Sequence, residues 1–221
     1  LVQAERTAGF SATDRRPDSL FYFVDADSSL AWWATFDRSP DRWTSTALGA
    51  HPARRSFDEA RLTGVEGPLL SSPAVVVAGQ PDSTVHLVAE TPIGARRRLH
   101  LHIDRAGPGE FVACYVVGSV PAAVSDVTEN ERVLANGDSG RSGSGSHMTP
   151  GGAILRYFGV PEGGIDLWFT IDAGVPALRV ITAVQGLPPH GNVPMATRPG
   201  DFMSKPFVPT DMSIVQRVIR L

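Results

Sequence analysis

The chain holds one cysteine, Cys114, in 221 residues, so no internal disulfide can brace it and the redox compartment stays undecided. No apolar run approaches the ~20 residues a membrane-spanning helix needs. Neither sign of charge dominates: 20 Lys plus Arg stand against 23 Asp plus Glu, a formal net charge of −3. That balance gives no electrostatic reason to expect nucleic acid or an anionic membrane surface as a partner. No Gly-rich stretch follows a strand and opens a helix, which leaves nucleotide binding without support. A charged-then-apolar leader is also missing after Leu1, as expected of a mature form or a piece of something longer.

Punctuating residues, by contrast, are plentiful. The 22 Gly and 18 Pro exceed the ~12% of an average protein and disfavour long helices. Between them lie ten β-branched or aromatic runs: Leu20 to Val24, Ala31 to Phe36, Ala74 to Ala78, Thr84 to Ala89, Arg98 to Asp104, Phe111 to Val117, Ile154 to Phe158, Ile165 to Ile171, Ala177 to Val184 and Ser213 to Ile219. Their spacing predicts an all-β fold, an antiparallel β-sandwich of about ten strands with at most one short helix. A hydrophobic share of 42% with 10 Phe, 4 Trp and 3 Tyr can outweigh the entropy of ordering one core.

The helix is expected within Pro52 to Leu62, where Phe57 and Leu62 lie among charges and a proline suits the first turn. Gly107-Pro108-Gly109 and Pro161-Glu162-Gly163-Gly164 read as reversals between strands. Residues 1–18 read as an N-terminal arm or linker, and 19–221 as a single domain with a flexible Gly/Ser loop at 136–152. Within that loop Gly145-Ser146-His147-Met148 resembles the remnant of tag removal, and a natural Gly/Ser loop explains it as well.

Several stretches invite a chemical reading. Asp25, Asp27 and Ser29 supply the first three oxygens of a calcium loop, but Leu30 and Phe36 stand where Gly and Glu are required. A hairpin turn explains them better. In "HLHID" the side chains of His100, His102 and Asp104 share one strand face while Leu99, Leu101 and Ile103 share the other. Two imidazoles and a carboxylate so spaced could hold zinc with an open position. Arg98 on the same face argues against a cation, and a hydrated polar face is the plainer reading. The serine-elbow pattern is only approached at residues 140–144, inside low complexity rather than between strand and helix. Cys114, mid-strand in "FVACYVV", reads as a core thiol. No catalytic set emerges.

Trp32 and Trp33 are neighbours, so on a strand they point to opposite faces; Trp43 follows. Exposed in a row, these rings would suit sugar stacking, which makes a carbohydrate-binding β-sandwich module the alternative function. Such rings more often pack in cores and lids.

"RPDSLFYFVDADSSLAWWATFDRSPDRWTSTAL" (16–48), "GLPPHGNVPMATRPGDFM" (186–203) and "TDMSIVQRVIRL" (210–221) together resemble the C-terminal, non-catalytic β-domain of bacterial membrane-linked zinc aminopeptidases of the endoplasmic-reticulum metallopeptidase kind. The resemblance implies an extracytoplasmic accessory domain, metallopeptidase-associated, acting in domain packing or substrate access. Its implied partner is the catalytic peptidase domain of the same polypeptide, with no cofactor in this chain, no nucleic acid and no direct membrane insertion. The family's zinc site begins with an H-x-D element, which His102-Ile103-Asp104 matches superficially; the bridging Asp and the Glu pair are missing. No catalytic residue is therefore carried over.

Overall fold

A computed structural model describes residues 15–57, 67–78, 84–107, 111–117, 124–130, 132–135, 147–149, 152–188, 195–205 and 210–221. Among them the elements in order are β1 (Arg16–Asp18), β2 (Phe21–Asp25), β3 (Leu30–Thr35), α1 (Thr44–Leu48), β4 (Ala53–Arg55), β5 (Leu69–Ala74), β6 (Val85–Ile93), β7 (Arg96–Ile103), β8 (Phe111–Val117), β9 (Ser125–Glu129), β10 (Arg132–Ala135), β11 (His147–Thr149), β12 (Gly152–Phe158), β13 (Ile165–Asp172), β14 (Ala177–Gln185), β15 (Phe202–Ser204) and β16 (Met212–Arg220). The fold is all-β with one short helix among the described residues. Its sheets are antiparallel, apart from a short parallel pairing of β1 with β15.

Contacts gather the chain into two compact units. The first draws on Leu1–Phe23, Leu30–Ala78 and Gly186–Ser213. Here β3 pairs antiparallel with β5, and β5 with β4. Phe21, Tyr22 and Phe23 of β2 are all buried, so consecutive side chains on both faces of the strand are covered. That is why "LFYFV" reads as a continuous apolar run rather than an alternating one. Tyr22 packs its ring 5.0 Å from Trp33, and Phe23 stacks on Phe57 at 4.5 Å.

The buried Tyr22 hydroxyl donates to Val75 O at 2.7 Å and accepts from Val77 N–H at 3.0 Å. Burial raises its pKa above the ordinary phenol value. This bond explains a departure from the sequence expectation. Ala74 to Ala78 is not a strand beyond Ala74; Val75–Val77 lie outside any ladder, pinned by Tyr22. The strand is instead β5, "LLSSPA", whose Pro73 lies opposite Trp32 near the strand's end, where β4 no longer pairs, an edge position that tolerates proline. Tyr22→Phe is expected to destabilise by about 1–3 kcal/mol, the penalty for stranding the buried Val77 N–H. Urea denaturation measures it; an unchanged midpoint would remove the role given to this hydroxyl.

The helix also falls elsewhere than expected. Ala53–Arg55 is strand β4 and Phe57 is core, while 58–62 lie outside the described residues. The helix is α1, and Asp41 starts it: its Oδ1 accepts from the N–H groups of Trp43 and Thr44, both at 2.8 Å, while Thr44 Oγ1 accepts from Asp41 N–H at 2.9 Å. Reciprocal capping satisfies donors a first turn otherwise leaves orphaned. Gly49, at φ 69°, closes the helix with its N–H on Ser45 O.

The second unit comprises Val24–Ser29, Gly79–Gln185 and Ile214–Leu221. Its five-stranded sheet runs β10-β9-β13-β7-β6, and β14, β8 and β12 pair antiparallel in another. Leu99, Leu101 and Ile103 of β7 join Ile165, Leu167, Phe169 and Ile171 of β13 in one core with Val112 and Cys114 of β8 and Leu178 and Val180 of β14. Two sheets thus share one apolar layer, as period-two alternation requires. Burial lifts the Cys114 thiol to about 12, so it serves as a core side chain.

The Asp25–Ser29 stretch is a turn. Asp25 Oδ1 accepts from Asp27 N–H at 3.1 Å and Asp27 Oδ2 from Val218 N–H at 2.7 Å, while Ser29 sits at φ 56°. These oxygens serve the backbone rather than converge on an ion. Arg16–Asp18 at the end of the expected arm pairs with β15; residues 1–14 lie outside the described residues, as do 140–144. Of the expected Gly/Ser loop, 147–149 and 152 belong to strands β11 and β12 and the rest lies outside them. Val117 ends β8, Gly107 is described, and Pro108 and Gly109 of the expected reversal are not.

Candidate functional site

In the first unit, α1 positions Trp43. This ring is 2% exposed and its indole Nε1–H donates to Ala196 O at 2.8 Å. Arg198 lies over it, with the guanidinium carbon 4.1 Å from the ring centroid, in favourable cation–π geometry. The same guanidinium grips Asp211 with both arms, Nη1 to Oδ2 at 2.6 Å and Nη2 to Oδ1 at 2.5 Å. Ser204 donates to Asp211 Oδ2 as well. Asp211 holds a left-handed backbone, φ 57°, a conformation that costs about 1–3 kcal/mol unless surroundings impose it. Its N–H on Leu20 O and its C=O on Gly186 N–H impose it here.

Arg198 Nη2 also stands 2.9 Å from Asp18 Oδ1. Asp18 is fully buried, yet among the described residues neither of its carboxyl oxygens accepts a well-formed hydrogen bond. Burial pushes its pKa from 3.8 up to about 7; Arg198 opposes that rise, and Asp41, Asp211 and Asp37 add to it. Asp37 is engaged in turn by the Ser19 N–H and hydroxyl, both at 2.9 Å, and by Lys205 Nζ at 3.4 Å. Beside this cluster lies a pocket of about 320 Å³ lined by Trp43, Leu187, Pro188, Met195, Thr197, Arg198 and Asp211.

The other expected rings are dispersed. Trp33 is 2% exposed. Trp32, half-buried, is covered by Arg55 at 4.1 Å and meets the edge of Phe57. A sugar platform needs coplanar rings facing solvent, and Trp33 and Trp43 are both in the core.

In the second unit, β7 does set His100 and His102 on one face, with Asp104 just beyond the strand. The sheet adds two residues that spacing along one strand could not reveal. His86 of β6 lies directly opposite His102, and Asp166 of β13 opposite it on the other side. The five form an alternating chain: His100 Nε2 to Asp166 Oδ1 at 2.7 Å, Asp166 Oδ1 to His102 Nδ1 at 3.1 Å, His102 Nε2 to Asp104 Oδ1 at 3.3 Å, and Asp104 Oδ2 to His86 Nε2 at 2.9 Å. The His100 bond holds the Asp166 carboxyl below the usual range; burial opposes it, and the His102 bond and the charge of both imidazoles add to the lowering. His100 also stacks on Trp168 at 3.9 Å, and Arg98 lies over that indole at 5.4 Å. Among the described residues no three His, Cys, Asp or Glu side chains enclose a ready-made ion position.

No protein-family model and no curated protein matches the chain. A solved structure described as the complete structure of manganese lipoxygenase of Gaeumannomyces graminis and partial structure of zonadhesin of Komagataella pastoris is similar over 96% of this chain and 72% of that one, at 10% identity and a TM-score of 0.27. That likeness is too slight to bear on fold or function.

Proposed function

We propose that the chain is an accessory, non-catalytic domain of a membrane-linked zinc peptidase, acting in domain packing or substrate access on the extracytoplasmic side. The observation behind this reading is where the resembling stretches meet. Residues 16–48, 186–203 and 210–221 are far apart in sequence, yet Asp18, Arg198 and Asp211, one from each, form a single ion cluster. An arginine bound on two sides by carboxylates of its own chain has its charge spent internally, which suits a lock between loops rather than a reacting group. The catalytic peptidase domain of the same polypeptide is the partner, and the zinc chemistry belongs to that domain. No helix among the described residues is long and apolar enough to cross a membrane.

The test pairs an assay with a gene sequence. Supplied with zinc and aminoacyl-anilide substrates, the purified chain is expected to give no hydrolysis above buffer. The reading frame upstream of Leu1 is expected to encode membrane helices and zinc-peptidase motifs. Robust metal-dependent hydrolysis by this chain, or an upstream frame with neither feature, overturns the reading.

A further inference from the structure

We propose that His86, His102 and Asp104 form a surface site for one divalent transition-metal ion of the zinc, nickel or copper class, with Asp166 as the residue that orients His102. The proposal rests on the second unit alone and does not depend on the accessory-domain reading.

The backbone already brings the three donors together. His86 and His102 are directly opposed across the β6–β7 ladder, where Cβ atoms stand about 4.5–5.5 Å apart. Asp104 follows two residues after His102, and its N–H on Thr84 O at 2.9 Å carries the pairing past the end of β7. The carboxylate lies 2.9 Å from His86 Nε2 and 3.3 Å from His102 Nε2. Donors in a tetrahedral site with bonds of about 2.0–2.1 Å are separated by roughly 3.3 Å. The two contacts run to different oxygens of the carboxylate, Oδ2 and Oδ1, so Asp104 bridges both imidazoles at close to donor spacing. The third edge runs between imidazoles whose centroids are 6.5 Å apart. Closing it takes a rotation of His86, whose side chain is 53% exposed, so the ion completes the site.

Charge supplies the second argument. His102 has a carboxylate oxygen at each ring nitrogen, Asp166 at Nδ1 and Asp104 at Nε2. In its neutral form, the one that binds metals, the imidazole carries one N–H, so one contact then sets a lone pair against a carboxylate. The tautomer that suits a metal ligand gives its Nδ1–H to Asp166, which His100 also bonds. The Nε2 lone pair then faces Asp104, an arrangement relieved by a cation placed between them. A carboxylate on the far nitrogen is the usual support of a metal-bound histidine. Approach to Nε2 is kept open by Gly164, at φ 78°, where a Cβ would come within 3.0 Å of that atom and 2.5 Å of Ile103 O. Arg98 is no obstacle, since its guanidinium is drawn over Trp168. Two nitrogens and one oxygen select borderline transition metals over calcium or magnesium.

The experiment is equilibrium dialysis of the full chain against zinc chloride, with calcium chloride in parallel and ring-nitrogen NMR of the histidines. Saturable uptake of one zinc per chain is expected, with none of calcium. His102→Ala should abolish uptake, and His86→Ala weaken it at least ~10-fold, while His51→Ala, at an exposed histidine elsewhere, leaves it unchanged. Asp166→Asn should weaken uptake about 10–100-fold and shift the His102 tautomer from Nδ1–H towards Nε2–H, a change mere loosening of the sheet would not produce. Should His102→Ala fail to fold, zinc-induced shifts of the His86 and His102 ring nitrogens in the unmodified chain decide the matter. Absence of saturable zinc uptake, uptake that survives both alanine variants, or shifts confined to other histidines overturns the proposal.

Discussion

Arg198→Ala is expected to destabilise the protein by about 3–5 kcal/mol, the cost of breaking a buried ion pair by removing one partner. Asp211 and Asp18 are 12% and 1% exposed and Arg198 itself 22%, so water can replace little of what is lost. The substitution also strips the cation from the face of Trp43 and removes both arms of the grip on Asp211, while the bond from Ser204 stays. With Arg198 gone, Asp211 loses the two-armed grip that adds to the backbone bonds holding its left-handed conformation. At roughly 2–4 °C per kcal/mol for a chain this long, Tm should drop by about 10 °C. Arg198→Lys should recover only part of it, because an ammonium cannot reproduce the two-armed grip or stack on the indole. Calorimetry of the three proteins tests this; an Arg198→Ala protein melting within a degree or two of the parent would show that the cluster holds nothing together.

Stability should fall as pH is raised from about 4 to about 8. The folded pKa of Asp18 is about 7 against 3.8 for the free side chain, so the folded state holds a proton that the unfolded chain releases. A raised folded value contributes stability that is complete below the unfolded pKa and is lost as pH climbs through the folded one. The window is therefore about pH 4 to 7, and at 1.36 kcal/mol per unit the full swing is of order 4 kcal/mol. Asp18→Asn, which cannot ionise, should flatten that slope and exceed the parent in stability at pH 8. Asp166 acts in the opposite sense at the acid end: its depressed pKa means a contribution lost as pH falls below the ordinary carboxylate range. Denaturant midpoints at half-unit steps separate the two, and a parent protein more stable at pH 8 than at pH 5 would refute the assignment to Asp18.

How far the sequence could be read depends on the range of the forces involved. "LHLHI" and "IDLWFTI" declare themselves because alternation is local and the core of the second unit is built from that alternation. "LLSSPA" does not, since Ser71, Ser72 and Pro73 carry turn chemistry and become a strand only by lying beside β3 and β4. The three-residue β1, β4 and β15 have too little sequence to signal anything. The helix at Thr44–Leu48 opens on three weak formers, Thr44, Ser45 and Thr46, and is too short for a periodic signal; its one legible sign is Asp41, three residues ahead of Thr44 in a capping relation.

At the sites the same division holds. His100, His102 and Asp104 could be assigned to one face from spacing alone, and the structure keeps them there. His86 and Asp166 join them through register across β6, β7 and β13. Register also shows that His100 faces Asp166 and Trp168 rather than Asp104. The tryptophans illustrate the converse. Adjacent positions required Trp32 and Trp33 to point oppositely, but only packing decided that Arg55 and Phe57 cover the one while the other is buried beside Tyr22.

By itself, then, the amino-acid order determined that this protein is built of strands, because residue periodicity and turn chemistry act within a few bonds. Tertiary structure decided the partners: that Asp18, Arg198 and Asp211 would meet, that Asp18 would lose its water, and that His86 would face His102. Burial and Coulomb attraction act through space, and no spacing along the chain encodes which distant side chains will share it.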